Sequence, residues 1–473
     1  MRRGMIELPL AADRADATPL SGQIATQLRD AMADGRLAAG ERLPATRELS
    51  ALLGVSRTVV TGAYAQLFAE GWIEGRHGSG TFVAQGAGGS APPATPERAG
   101  PAEAATGAAD EDTPTGRPLL ELRPGLAWTA GIDRAAWRRA WRSVGTVPPA
   151  TSADRCGHPG LRAALTSYLR RSRGVHCPSG QILVTRGVAG SLGLIATALL
   201  RPGDTVGVEE PGYPAARAVF GARGARVVPC RVDADGLVVD ELPAGLRLIY
   251  CTPAHQYPLG GRLPVPRRQA LVGWARANGA LIVEDDYDGE FRYDVAPLPA
   301  LFGLDPEIVI YLGTTSKTLT PTLRVGWLAA PAALVADLAQ AAEDLGDWAS
   351  HPAQQAVLTL ITSGDLERHI RRMRHEYARR RAVLTAAFGD QALGRLLGDD
   401  AGMHMVLEVG RDAGEIVDEA RQRGVAVATV DRYFTGPVTA NALVLGYGGA
   451  SLADVTRACG TLADILRARR DGA

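Results

Sequence analysis

Lysine is almost missing from this chain. Of 51 basic residues among 473, fifty are arginine and one, Lys317, is lysine. Cysteine is scarce as well: Cys156, Cys177, Cys230, Cys251 and Cys459 are scattered, with no CxxC pair and no metal-ligand spacing. That excludes a disulfide framework and a zinc module, so no metal is expected. With no signal peptide, it fits a reducing, cytoplasmic setting. Net charge is absent too, 51 bases against 51 acids, so no global field attracts nucleic acid or an anionic membrane. DNA binding would need a local patch. No apolar run approaches the length of a membrane span, so no membrane partner is expected. The length itself supports two to three domains and a large core.

The surviving lysine matters because arginine cannot replace it in one role. Arginine stays charged, whereas a desolvated lysine can lose its proton and form a Schiff base with a carbonyl. Lys317 lies in Gly313-Thr314-Thr315-Ser316-Lys317, directly after the apolar run 308–312. A buried strand ends there and a ligand-facing loop begins. The alternative is compositional drift that spared one surface lysine.

Residues 84–116 divide the chain. The stretch is nearly all Ala, Gly, Pro, Ser, Thr or acid, without an aromatic, and cannot bury enough apolar area to offset ordering entropy. It is expected to be a flexible, disordered linker between an N-terminal unit, 1–83, and a C-terminal unit, 117–473.

In the small unit, Thr18-Pro19 opens a helix with Ile24, Leu28 and Met32 at four-residue spacing and Gly35 as its stop. A second helix runs from Pro44 towards Gly54. Ser56 caps a third, whose Val59, Val60, Ala63, Tyr64, Leu67 and Phe68 form one face until Gly71. The segments 72–74 and 81–83 flank a Gly-rich tip, a hairpin signal. Helix, helix–turn–helix and β wing together predict a winged helix-turn-helix. Its third helix would enter the major groove with Arg57 and Thr58 projecting outward, where arginine can take guanine bidentately. Ser56 and Arg47 would lie near the backbone, and His77 and Gly78 at the wing tip. The alternative is a winged helix used for protein contact. Segments LPxxREL, LGVSR and GSGTFV within 19–83 resemble the GntR-type DNA-binding domain. The resemblance implies DNA contacts for Arg47, Ser56, Arg57, Thr58, His77 and Gly78. Six arginines balance six acids between Thr18 and Val83. Affinity therefore needs charges segregated in space, or two such domains in a dimer.

The large unit alternates strand-like runs (181–185, 205–209, 246–251, 280–284, 308–312, 325–329) with helical patterns (188–200, 265–278, 332–345). This predicts an α/β fold with a largely parallel sheet whose ligands gather at the strands' carboxyl ends. One strand ends in Glu284-Asp285-Asp286-Tyr287. An aspartate paired to a pyridine nitrogen keeps pyridoxal phosphate (PLP) an electron sink, and a tyrosine two residues on can donate to the ring oxygen. Asp285 and Asp286 point to opposite faces, so only one can serve. Metal ligands or a solvated turn remain open readings of the same motif. The turn Gly187-Val188-Ala189-Gly190-Ser191 suits a phosphate, with Thr314 and Arg324 near it. Tyr213 can stack on a planar ring or fill the core.

In this order the motifs resemble the fold-type I PLP enzymes, the aspartate aminotransferase superfamily, over roughly 117–470. The resemblance implies Lys317 as the Schiff-base lysine and the catalytic residue. It implies Asp285 at the pyridine nitrogen, Tyr287 at the ring hydroxyl and Tyr213 stacked on the ring. Val188, Ala189, Thr314 and Arg324 would hold the phosphate. Gln256 stands near the position of an asparagine beside the ring oxygen. Two departures are visible: the turn 187–191 lacks the usual polar side chains, and NALVLGYGG at 441–449 lacks an arginine for a substrate carboxylate. Arg432 is the nearest candidate.

Winged helix, linker and aminotransferase-like domain, with LRPG at 122–125 and the HQYPLG segment, resemble the MocR subgroup of bacterial GntR regulators. The resemblance implies a PLP-dependent regulator in the cytoplasm, on the nucleoid when bound to DNA. It would bind an operator in double-stranded DNA and sense an amine, an amino acid or PLP. A head-to-tail homodimer is implied, with at most slow transaminase half-reactions. The alternative is a competent aminotransferase with an accessory DNA-binding domain.

Overall fold

The structure is a computed structural model. It describes residues 10–13, 19–33, 36–76, 80–84, 119–148, 151–152, 154–294, 299–390, 392–410 and 412–471. The expected stop Gly35, the wing-tip residues His77 and Gly78, and 85–118 of the linker region lie outside the described residues.

The small unit is three helices and a hairpin. Helix Leu20–Ala33 buries Ile24, Leu28 and Met32. Helix Thr46–Leu53 ends at Gly54 in the left-handed region (φ 61°). Ser56 then caps helix Arg57–Glu70, its hydroxyl accepting from Val59 N at 3.4 Å, and Gly71 (φ 79°) terminates it. Tyr64 donates to Pro44 O (2.7 Å), fixing the second helix on the third. Arg29 clasps buried Glu70 with two bonds of 2.8 and 2.7 Å, fixing the first. Strands Ile73–Arg76 and Gly80–Val83 pair antiparallel, Ile73 opposite Val83. One expected core residue is corrected: Phe68 is 56% exposed. At about 100° per residue it lies roughly a quarter turn off the mean direction of Val60, Ala63, Tyr64 and Leu67. It covers Gly75 at the base of the wing instead.

The large unit is built on an eight-stranded sheet. Its order is Ile182–Thr185, Gly326–Ala329, Val309–Thr314, Leu281–Asp285, Leu248–Cys251, Thr205–Glu210, Arg226–Asp233, Gly236–Leu237. The five strands from Val309–Thr314 to Arg226–Asp233 are parallel, and Gly326–Ala329 runs antiparallel to both neighbours. Side chains alternate between two cores: Val283, Ile310 and Leu312 on one face, Ile282, Val309 and Tyr311 on the other. A parallel sheet covered on both faces needs such apolar runs. The sequence pattern missed Arg226–Asp233, whose alternate residues are partly exposed and include Pro229.

The C-terminal part adds a four-stranded antiparallel sheet, in the order Arg395–Leu397, His404–Glu408, Ala442–Gly446, Ala428–Thr429, and a core shared with helices Asp365–Phe388 and Leu452–Asp471. Leu120–Glu121 pairs with Val425–Ala426. That pairing carries the segment that follows Leu120–Glu121, including Gly125, over the mouth of the larger sheet. Val265, the first residue of helix Val265–Asn278, is buried in the core of the winged helix. Gly71 packs on Pro264: a Cβ on that glycine would lie 3.1 Å from Pro264 Cβ. Among the described residues no helix is long and apolar enough to cross a membrane.

Candidate DNA-reading surface and cofactor site

The third helix of the small unit opens on Arg57 with no acid in its first turn. A cation at a helix N-terminus opposes the macrodipole, at a cost of about 0.3–1 kcal/mol, so the position is poor for stability and good for an anion. Arg57 and Thr58 are exposed, as are Ser56 and Arg47. Arg57 Nε lies 3.3 Å from Thr46 Oγ1, which joins the starts of the second and third helices. Four of the six expected DNA contacts therefore share one exposed surface of converging helix N-termini. His77 and Gly78 are outside the described residues.

The second site is a cavity of about 230 Å³ at the carboxyl ends of the parallel strands. Each wall follows from a strand ending. Leu281–Asp285 delivers Asp285, because residues two apart share a face and Val283 is already in the core beneath it. Asp286 falls on the opposite face, ion-paired with buried Arg173 and hydrogen-bonded by Tyr311 at 2.6 Å. The two carboxylates are thus separated by the pleat of one strand. Val309–Thr314 ends in Thr314, and the turn after it brings in Ser316 and Lys317. Ile182–Thr185 ends at Gly187, where helix Gly187–Leu199 begins with Val188 and Ala189 facing the cavity. Arg324 is the only described non-glycine residue with positive φ (51°), a strained conformation that brings its side chain to the same wall.

Lys317 Nζ donates to Gly125 O at 2.6 Å. Gly125 sits at φ 93°, and a Cβ there would stand 3.3 Å from Nζ, so the LRPG segment needs glycine at this place. Burial lowers the pKa of Lys317, and the carboxylates of Asp288 and Asp285 oppose that shift. Burial pushes Asp285 up to about 7. One of its oxygens accepts from Tyr250 at 2.5 Å, while Oδ1 is buried with no protein partner. A buried oxygen left over in a cavity wall is where a protonated ring nitrogen fits. Tyr213 lines the cavity, its ring stacked at 6.5 Å from that of Tyr250. A planar ring, an anion against the N-terminus of helix Gly187–Leu199, and a carbonyl beside Lys317 all find complements here. The residues present therefore fit PLP.

Lys317, Asp285, Tyr287, Tyr213, Val188, Ala189, Thr314 and Arg324 all line this cavity. Two expected residues do not. Gln256 is buried behind the wall, its amide donating to Pro211 O (2.9 Å) and Tyr257 O (2.8 Å) and accepting from Leu259 N (3.0 Å). The next residue, Tyr257, faces the cavity in its place. The turn 256–261, closed by Gln256 and Gly260, explains the one-residue offset. Arg432 is exposed, lies over the ring of Tyr433 and is not part of the cavity lining. Sequence reasoning also missed Tyr250, Thr252 and Arg186. Tyr250 was findable, since it ends a strand on the same face as Leu248 and lies opposite Val283, two residues before Asp285 on the neighbouring strand.

The comparisons bear on both domains. Residues 20–83 match the family described as bacterial regulatory proteins of the gntR family, and residues 146–457 match aminotransferase class I and II. The chain is 36% identical to the HTH-type pyridoxine biosynthesis transcriptional regulator PdxR of Corynebacterium glutamicum, covering 94% of this chain and 95% of that one. It is 35% identical to the probable rhizopine catabolism regulatory protein MocR of Rhizobium meliloti, over 93% and 92% of the two chains. The chain belongs to the MocR subgroup of GntR-family regulators. Its MocR-type large domain is similar in structure to an archaeal alanine:glyoxylate aminotransferase (TM-score 0.70, 26% identity, 75% of this chain and 92% of that one). PLP is the cofactor that this fold and these residues support.

Proposed function

We propose that this MocR-type chain is a transcription regulator that binds operator DNA through its winged helix and reports PLP through its large domain. The observation that carries the proposal is the cavity around Lys317 and the unpartnered Asp285 Oδ1, in one chain with an exposed, arginine-led recognition helix. PLP, when bound, supplies an electrophilic carbonyl and an electron-withdrawing ring. The chain's own residues do the rest. Lys317, whose burial lowers its pKa, offers its amine beside Gly125 O. Asp285 holds a proton at the ring nitrogen, and Tyr287 meets the ring oxygen. Tyr213 covers one ring face. The N-terminus of helix Gly187–Leu199, with Thr314, Ser316 and Arg324, takes the phosphate.

Among an amine, an amino acid and PLP, the last is the effector best supported. Val444, in the segment where a carboxylate-binding arginine was expected, lies in an apolar cluster with Val406, Val430 and Tyr433. Arg186 and Arg324 are the arginines that line the cavity, both at its phosphate end. The relative PdxR is named as a regulator of pyridoxine biosynthesis. Efficient transamination is not part of the proposal. A homodimer is: exposed Trp348 follows Asp347, the ion-pair partner of cavity-lining Arg186, so apolar surface adjoins the cavity.

The route to DNA runs through the loop between strand Leu248–Cys251 and helix Val265–Asn278. Tyr257 on this loop faces the cavity, and Val265 at its end is buried in the winged-helix core. The test is binding of the full-length protein to its own upstream DNA, with and without PLP and with PLP plus a panel of amines. PLP should change the affinity by itself. A response to one amino acid alone, with turnover, would favour the aminotransferase alternative, and no DNA binding under any condition would refute the regulator.

A further inference from the structure

We propose that His255 and Asp288 form a buried relay that fixes the direction of the Tyr287 hydroxyl proton, making Tyr287 a donor into the cavity. The inference rests on the cofactor reading above, because the acceptor is the ring oxygen of PLP. His255 Nδ1 lies 3.1 and 3.2 Å from the two oxygens of Asp288 and 2.9 Å from the Tyr287 hydroxyl. His255 and Asp288 are 2% and 1% exposed. An ionised carboxylate only accepts hydrogen bonds. An unprotonated Nδ1 would set its lone pair against two carboxylate oxygens in a low-dielectric interior, so Nδ1 carries the proton. The Tyr287 oxygen is then on the accepting side of its contact with His255. Its own proton points elsewhere, and the ring lines the cavity.

The other nitrogen agrees. His255 Nε2 is buried with no partner. A bare lone pair is tolerated there, whereas a buried N–H without an acceptor costs the full desolvation of a donor. The surroundings hold this arrangement. His404 packs on His255 with ring centroids 4.9 Å apart, and its Nε2 meets Pro258 O at 2.8 Å. Burial pushes the pKa of His404 down to about 3, so it stays neutral. Gly402 closes the pocket, since a Cβ there would collide with His255 Cε1. His255, Asp288 and His404 also bring potential metal-ligating atoms within 4.8 Å of one another. His255 Nδ1, the Asp288 oxygens and His404 Nε2, however, are already engaged, with one another, with Tyr287 or with Pro258. His255 and Asp288 are thus positioning residues acting through Tyr287.

The readout is the pH midpoint of the visible absorbance change in full-length protein loaded with PLP. Tyr287→Phe removes the donor. Asp288→Asn keeps the shape but removes the charge that holds the proton on Nδ1, which lets Tyr287 donate to His255 instead. Each variant should move the midpoint in the same direction by about one pH unit, the size of one hydrogen bond to a charged acceptor. The double variant should move it no further. An unchanged midpoint in Asp288→Asn, or full additivity in the double variant, overturns the relay. If Asp288→Asn does not fold, His255→Gln takes its place in the same cycle. A cofactor-free arm separates this inference from the one beneath it: nitrogen NMR of histidine-labelled protein should show His255 protonated on Nδ1. A proton on Nε2 alone, or a bound divalent ion lost on His404→Gln, overturns the relay whether or not PLP binds. A correct tautomer with no PLP absorbance would instead count against the cofactor reading.

Discussion

The winged helix and the cofactor cavity use their basic residues in opposite ways. Arg47 and Arg57 stand exposed at the starts of two helices that follow each other in sequence. Lys317 lies in a cavity whose walls come from five strand endings, and its amine reaches the distant Gly125 O. A residue that meets phosphate or guanine needs a permanent charge and water around it until DNA arrives. A residue that meets a carbonyl needs to lose its charge, which burial favours.

The sharpest way to break the comparison is Lys317→Ala. The visible band that PLP gives the wild-type protein should vanish, along with borohydride-fixed label at this position, while DNA affinity without PLP stays unchanged. A colourless variant that still responds to PLP in DNA binding would show that the signal does not pass through Lys317.

The next effect concerns stability of the cofactor-free protein. His404 has its pKa held near 3 by burial, against an ordinary value of 6.5. From pH 6.5 down towards 3 the unfolded chain binds a proton that the folded chain does not, so this group's contribution to stability falls as pH falls. The slope is up to about 1.4 kcal/mol per pH unit. Denaturant titrations across this range should give a shallower acid loss for His404→Gln than for wild type. Equal slopes would mean that His404 is not neutral and buried as described. No comparable dependence is expected from the exposed arginines.

Val265→Asp tests whether the two regions communicate. PLP absorbance should persist while the PLP-induced change in DNA affinity drops by most of a coupling of ~1–3 kcal/mol. Retained coupling would place the route elsewhere. On the DNA surface, Arg57→Ala should cost ~1–3 kcal/mol and relax preference at one base pair. The smallest effect belongs to Arg47→Ala: a uniform weakening across sequences, with a salt slope shallower by about one phosphate contact. Competition binding with single-base operator variants separates the two, and equal, sequence-independent losses would assign Arg57 to phosphate alone.

The small unit was legible because its signals are local. Ser56, Gly54 and Gly71 mark helix ends within a few residues of the side chains they position, and among the described residues of that unit Phe68, at the edge of its helical face, was misplaced. The cavity was legible as a set of motifs, since each strand ending carries its own residue. Its closure was not. Gln256 and Tyr257 differ by one position, and the choice between them depends on how the turn 256–261 folds back on Glu209 and Pro211. Gly125 belonged to a segment whose partner is 192 residues away.

By itself the sequence determined the order of parts: a DNA-reading helix with its caps, a low-complexity separator, alternating strands and helices, and one lysine after one buried strand. Period, cap and turn chemistry act over a few residues, so they can be read without a fold. Only the tertiary structure showed how the chain sends Asp285 into the cavity and pairs Asp286 with Arg173. It also placed Tyr250 and Tyr257 in the wall, set His255 and Asp288 behind Tyr287, and seated Val265 in the winged-helix core. Those outcomes depend on burial and on contacts between segments far apart in the chain, and that is where the pKa of Lys317 is set as well.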